Sequence, residues 1–342
     1  MKNIKIAFFG TWEFSANILK SLIKDFKDDI DVKLVVSQPD KPVGRKKILE
    51  KTPVKIVAEE NNIECLQPNK LKISNKSGQT HRSAPTEKNV GVNLCVHPEE
   101  FFEKLNSLNL DFIVVVAYGK IVPKEVLDAP KYGCINIHWS ILPKYRWASP
   151  IQESLKNWDT KTGLTIMYMS EWMDEGDILQ IKEIEIWEDD KTPDLFKKFE
   201  EIWPKLLVDT LKWVLSWEIK AQKQEDLKAS YCSKIKKEDW EISFENETWE
   251  QIYNKFRAYY TWPWIYTYFK WKKLNLEEVE LINYNWEKNI WEVDKLSKKE
   301  IWIVCKDNKI LLLKQLKLEW KKSIDILSFV NWNKDFLNYK FD

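Results

Sequence analysis

A chain of 342 residues is long enough for two domains with separate apolar cores. Its 54 Lys plus Arg balance 53 Asp plus Glu, so bulk charge gives no argument for a nucleic-acid partner, and any RNA contact falls to local patches. No apolar run is long enough to span a bilayer, and the five scattered cysteines, Cys65, Cys95, Cys134, Cys232 and Cys305, have neither disulfide-framework nor metal-ligand spacing.

The start, Met1-Lys2-Asn3-Ile4-Lys5-Ile6, runs directly into an apolar segment without the cleavage pattern of a secretory signal, which predicts a soluble, cytoplasmic protein. Residues 4 to 10 read as a buried strand ending in a turn, followed by a helical pattern from Phe14 to Ile23. Further strands are predicted at Val32–Ser37, Phe112–Ala117 and Cys134–Ile137, with a helix at Val54–Glu60. Alternating strands and helices predict an α/β domain with a Rossmann-like, mostly parallel sheet, binding its ligand beyond the carboxyl ends of the strands. Residues 74 to 98 are polar and aperiodic and read as an insertion or disordered loop. They hold His81, Cys95 and His97, too few ligands for a metal site.

Leu164–Met169 and Ile178–Ile186 look like two more strands, and a helical pattern then runs from Thr192 toward Gln224. A helix at Trp249–Ala258 precedes short runs at Ile265–Phe269, Leu274–Leu281, Ile301–Cys305 and Ile310–Leu318, which suggest a small OB-like β-barrel. The expected organisation is a catalytic domain over 1–205, a linker over 206–228 and a C-terminal domain over 229–342.

The densest polar chemistry is the run from Asn136 to Arg146. Alternation along Cys134-Ile135-Asn136-Ile137-His138 puts Asn136 and His138 on one face at a strand end, where both can converge on one reacting atom. The acidic turn Asp174-Glu175-Gly176-Asp177 could supply a carboxylate to orient the imidazole and accept a proton.

Asn136-Ile137-His138, Ser140-Ile141-Leu142-Pro143-Lys144-Tyr145-Arg146 and Met173-Asp174-Glu175-Gly176-Asp177 together resemble the active-site signature of the folate-dependent formyltransferases. Gln38-Pro39-Asp40-Lys41-Pro42-Val43-Gly44-Arg45, Val114-Val115-Val116-Ala117-Tyr118-Gly119 and Ser149-Pro150-Ile151-Gln152 narrow the resemblance to the methionyl-tRNA formyltransferase branch. It implies transfer of a formyl group from 10-formyltetrahydrofolate to the methionyl amine of initiator methionyl-tRNA. It further implies catalytic roles for Asn136, His138 and Asp174, folate contact by Ser140, Ile141, Leu142 and Pro143, tRNA contact by Arg45, Lys46 and Lys47, no metal, and a monomer. The cationic run at Arg45 suits phosphate binding, although the matching loop is one residue shorter here at Arg45-Lys46. A C-terminal barrel lying along the tRNA would draw on Lys234, Lys236, Lys237, Lys270, Lys272 and Lys273.

One compositional feature stands apart: 19 Trp against 8 Gly, where glycine is usually about 7% of a soluble protein. Many of these tryptophans sit in turns, as in Asn157-Trp158-Asp159, Asp239-Trp240-Glu241, Asn285-Trp286-Glu287, Asn331-Trp332-Asn333 and Thr261-Trp262-Pro263-Trp264. Such turns favour a positive φ that glycine adopts freely and an indole does not. The pattern is what results when a gene in which UGA encodes glycine is translated with UGA as Trp. Trp12, Trp139, Trp147 and Trp172 stand where the formyltransferases carry small residues. Two other readings remain: the same chemistry on a small acceptor such as glycinamide ribonucleotide or a sugar nucleotide, and an inactive RNA-binding protein that uses its aromatic residues for stacking.

Overall fold

The structure, a computed structural model, describes residues 3–43, 47–71, 97–285, 293–295, 300–337 and 339–341. In chain order its elements are β1 (Ile4–Gly10), α1 (Glu13–Lys24), β2 (Ile30–Val36), β3 (Lys41–Val43), β4 (Ile48–Glu50), α2 (Pro53–Glu60), β5 (Cys65–Leu66), α3 (Pro98–Ser107), β6 (Phe112–Val116), α4 (Lys124–Leu127) and β7 (Cys134–His138). There follow β8 (Arg146–Trp147), α5 (Pro150–Lys156), β9 (Lys161–Tyr168), β10 (Ile178–Glu185), α6 (Thr192–Ser216), β11 (Tyr231–Cys232) and α7 (Trp249–Ala258). The C-terminal elements are β12 (Tyr266–Phe269), β13 (Lys272–Asn285), β14 (Val293–Lys295), β15 (Ile301–Val304), β16 (Lys309–Leu318), β17 (Ile324–Asp325) and α8 (Ile326–Trp332).

The chain divides into two compact units, one of residues 1–138, 164–182 and 202–229, the other of 139–163, 183–201 and 230–342. The first is built on a seven-stranded sheet in the order β10-β9-β7-β6-β1-β2-β5. The pairs β1/β2, β1/β6, β2/β5 and β6/β7 are parallel, and β9 runs antiparallel to β7. This is the mostly parallel, Rossmann-like arrangement that the strand and helix alternation predicts. Parallel strands are buried on both faces, which is why β6 reads as the continuous apolar run Phe112-Ile113-Val114-Val115-Val116 and is buried throughout. Phe9 packs edge-on to Phe101 and Tyr118 beside Leu34, Val36 and Ile113, and each fully buried side chain of this kind contributes about 1.5–3 kcal/mol.

Helix starts follow local chemistry. Thr52 caps α2 by accepting a hydrogen bond from the Lys55 amide at 3.3 Å, with Pro53 opening the first turn. The insertion expected at 74–98 lies outside the described residues as far as 96. Pro98 already begins α3, preset by its ring for the first helical position. At the far end α6 continues through the expected boundary at 205 as far as Ser216.

In the second unit β12-β13-β16-β15-β14 form an antiparallel sheet, with β17 added on β16. α7, started by a reciprocal Thr248 and Gln251 capping box, packs against β13 and β16. This is the OB-like half of the fold. No helix among the described residues is long and apolar enough to cross a membrane.

Candidate active site

The carboxyl ends of the parallel strands are tied together by side chains. Ser15 Oγ donates to Val116 O at 2.8 Å, while Thr11 Oγ1 at 2.9 Å and Gln38 Nε2 at 2.7 Å both donate to Tyr118 O. β7 delivers the sequence-predicted pair to this same edge. Its antiparallel pairing sets Asn136 opposite Met167 and His138 opposite Thr165, two residues apart and hence on one face. His138 is buried, and the side chain of Asn136 is half-buried.

Asp174 arrives from the turn after β9. Tyr168 N donates to Asp177 O at 2.9 Å and closes that turn. Only glycine fits at position 176, where a Cβ would lie 1.8 Å from Tyr168 O. Asp174 then meets both predicted partners: Asn136 Nδ2 is 3.5 Å from its Oδ1, and His138 Nδ1 is 3.6 Å from its Oδ2. The imidazole and the carboxylate are only 6% and 9% exposed. These separations are long for hydrogen bonds, as is common where catalytic groups tighten only around substrate. The amide and imidazole of β7 and a carboxylate 38 residues after Asn136 are thus brought together within one compact unit.

Predicted residues Ser140 to Pro143 belong to the second unit. Ser140 and Leu142 are buried in the second unit, where Ser140 Oγ donates to Lys144 O at 2.5 Å, and Ile141 and Pro143 are half-buried. In the same unit Tyr145 Oη donates to Asp159 at 2.7 Å and accepts from Asn157 at 3.1 Å. Burial, with the adjacent Asp159 carboxylate, pushes the Tyr145 phenol well above its usual range.

Arg45 and Lys46 lie outside the described residues, while Lys47 is exposed with φ 49° at the end of a hairpin whose strands β3 and β4 pair Lys41 with Glu50 and Val43 with Ile48. The base of that hairpin is anchored by residues that sequence reasoning missed. Asp40 accepts from Lys55 Nζ at 2.7 Å and from Gln67 Nε2 at 2.6 Å, and Gln67 Oε1 accepts a second bond from Lys55 at 2.8 Å. Burial pushes the Asp40 carboxyl up, but the hydrogen bonds from Lys55 and Gln67 and the ammonium charge outweigh it, so its pKa falls below the ordinary 3.8. A charged lysine on the inner turn of α2 opposite a Gln-Pro-Asp run was the available signal.

Six tryptophans, Trp147, Trp158, Trp217, Trp264, Trp271 and Trp320, have φ between 55° and 82°. Trp217, Trp271 and Trp320 are more than 80% exposed. Trp158 and Trp264 therefore behave as the turn contexts predict. Trp240 and Trp332 do not, because the first closes a short 3-10 helix and the second ends α8, both on right-handed backbone. Trp286 lies outside the described residues. Of the tryptophans standing where the formyltransferases carry small residues, Trp12 is exposed at the start of α1 and Trp172 is exposed just before the acidic turn, whereas Trp139 packs on Phe196 and Phe199.

Comparison with known proteins agrees with this architecture. The profile of the formyl transferase family matches residues 3–211, and that of the formyl transferase C-terminal domain matches residues 234–334. A methionyl-tRNA formyltransferase of Caldicellulosiruptor saccharolyticus is 42% identical over 330 residues, covering 96% of this chain and 97% of its own. One of Sulfurimonas denitrificans is 37% identical over 329 residues, covering 96% of each. Among solved structures, the sugar 3N-formyl transferase WlaRD, crystallised with 5-N-formyl-THF, superposes with a TM-score of 0.60 at 16% identity over 94% of this chain and all of its own. HypX from Aquifex aeolicus with tetrahydrofolic acid gives 0.60 at 14% identity, over 98% of this chain and 48% of its own. The structural matches share the fold, and the sequence relatives go further: the chain belongs to the formyl transferase family and, within it, to the methionyl-tRNA formyltransferases.

Proposed function

We propose that the protein transfers the formyl group of 10-formyltetrahydrofolate to the amino group of methionine on initiator methionyl-tRNA, with Asn136, His138 and Asp174 as the catalytic residues. The observation that carries the assignment is the convergence of Asn136 and His138 on one buried carboxylate, at 3.5 and 3.6 Å. This donor set fits a folate-borne formyl group, whose carbon is already activated as an amide-like electrophile and needs polarisation of its oxygen.

As the methionyl amine adds to the formyl carbon, Asn136 Nδ2 and the His138 imidazole donate hydrogen bonds to the oxygen that gathers negative charge. Asp174 holds the imidazole and accepts, directly or through water, the proton that the amine sheds. The new amide C–N bond forms as the bond to the folate nitrogen breaks, and that nitrogen takes back a proton. Ser140 to Pro143 hold the folate, and Arg45, Lys46 and Lys47 hold the acceptor end through its phosphates. On this reading residues 1–205 carry the chemistry, 206–228 link, 229–342 lie along the tRNA, and the protein acts as a cytoplasmic monomer.

Formylation assays with charged initiator tRNA, glycinamide ribonucleotide and a sugar nucleotide test the acceptor, and His138→Ala tests the centre. Transfer to the tRNA alone, lost in the variant, supports the proposal. Preference for a small acceptor, or an active His138→Ala enzyme, overturns it.

We also propose that the left-handed tryptophans are glycines in the cell, encoded by UGA. An L-residue with a Cβ loses about 1–2 kcal/mol at such a position, and glycine does not. Six such costs would consume much of the roughly 5–15 kcal/mol that separates folded from unfolded protein. UGA codons at 147, 158, 217, 264, 271 and 320, with glycine at those positions in peptides of the native protein, are the expected result, and UGG codons there overturn the assignment.

A further inference from the structure

The backbone of Asp174 is itself left-handed, with φ 59°. For a residue with a Cβ this conformation persists only where the surroundings enforce it. Gly176 supplies one restraint by letting the turn press against Tyr168 O. The second comes from a residue distant in sequence, Gln224. Its side-chain Nε2 donates to Asp174 O at 2.8 Å and to Gly176 O at 2.8 Å. A primary amide nitrogen carries two hydrogens, and here each has its own acceptor on either side of Glu175. The side chain is 5% exposed, so water does not replace those bonds cheaply.

Gln224 reaches the turn because the chain returns along β10 after α6. Ile178 and Gln222 exchange both backbone hydrogen bonds at 2.8 Å, which aligns the returning segment beside the acidic turn. Its neighbours Lys223 and Glu225 are exposed, which leaves Gln224 as the inward-facing member of the run.

We infer that Gln224 is a positioning residue for the reaction: it grips the two carbonyls of the turn and so aims the Asp174 carboxylate at His138 and Asn136. The inference rests on the catalytic reading of Asp174. Without the two donors, the turn relaxes toward right-handed backbone and swings the carboxylate off the imidazole. The cost falls on turnover, since the buried Gln224 amide is spent on the two turn carbonyls.

The test is a double-mutant cycle in the intact enzyme, read by steady-state formylation of methionyl-tRNA, with thermal melting as the check on folding. Gln224→Met keeps the length and removes the donors. Its kcat is expected to fall on the order of 10²-fold, with KM for both substrates near the parental values. Combined with Asp174→Asn, the same change is expected to add no further loss, because the carboxylate it aims is gone. Gln224→Glu, which turns an acceptor toward the same carbonyls, supplies the same split should the methionine variant fail to fold. Parental kcat in the Gln224 variants, a rise in KM alone, or losses that multiply with Asp174→Asn overturn the positioning role. Parental kcat in Asp174→Asn overturns the catalytic reading instead, so the two failures are told apart.

Discussion

The acidic turn and the β3–β4 hairpin are both excursions from one parallel sheet, and they are built to opposite specifications. The turn is held along its length: Gly176 against Tyr168, Gln224 on two carbonyls, Asp174 against β7. The hairpin is anchored at its base by Asp40, Lys55 and Gln67, while β4 stays exposed, with Ile48 and Leu49 open to solvent. The difference fits the roles proposed for each: proton transfer and oxyanion stabilisation would fail with displacements near 1 Å, whereas attraction between Lys47 and phosphates would act over a Debye length of about 8–10 Å.

The comparison is broken most directly at the turn. His138→Ala should lower kcat by about 10²–10⁴-fold, and Asp174→Ala should cripple turnover to a similar degree while tetrahydrofolate binding, read by calorimetry, stays close to parental. Equal loss of folate affinity in Asp174→Ala would contradict its assigned role. Gly176→Ala is the next largest effect: the clash with Tyr168 O should lower kcat on the order of 10²-fold by displacing the carboxylate, with a depressed melting temperature. A parental rate there would show the turn to be as tolerant as the hairpin.

At the hairpin base, Lys55→Met should cost about 1.5–3 kcal/mol for the charge-assisted bond it removes, measured by denaturant unfolding. KM for tRNA should rise as the tip loses its anchor, and kcat should hold. The pH dependence follows from Asp40. Because its folded pKa is depressed below 3.8, its contribution to stability is fully present above the unfolded value and disappears as pH falls through the folded one. Asp40→Asn should therefore be less stable than the parent at neutral pH, and the difference should close as pH falls below about 4. The smallest effect belongs to the tip. Lys47→Ala should weaken tRNA binding several-fold and reduce the slope of log KM against log salt by roughly one, if that lysine meets one phosphate. An unchanged slope would remove Lys47 from the interface.

Much of the sheet was legible because apolar runs such as Phe112-Ile113-Val114-Val115-Val116 have no other stable destination. β1, β2, β6, β7, β9 and β10 stand within a few residues of their predicted spans, and α7 matches its own. The short β3, β4 and β5 were not legible, since runs of two or three residues carry no period. Asn136 and His138 were readable as a pair because a strand repeats every two residues. Asp174 was readable through the family motif, and its partnership with His138 is a long-range contact.

By itself the sequence determined the alternation that builds the sheet, the shared strand face of Asn136 and His138 and the conflict between indoles and turns, because each is a local property of backbone and side chain. The tertiary structure alone decided that Gln224 grips the Asp174 turn, and that Lys55 and Gln67 close on Asp40. Those contacts join residues 15 to 50 positions apart. They exist only once burial removes water as the competing partner and strand pairing brings the segments within hydrogen-bond reach.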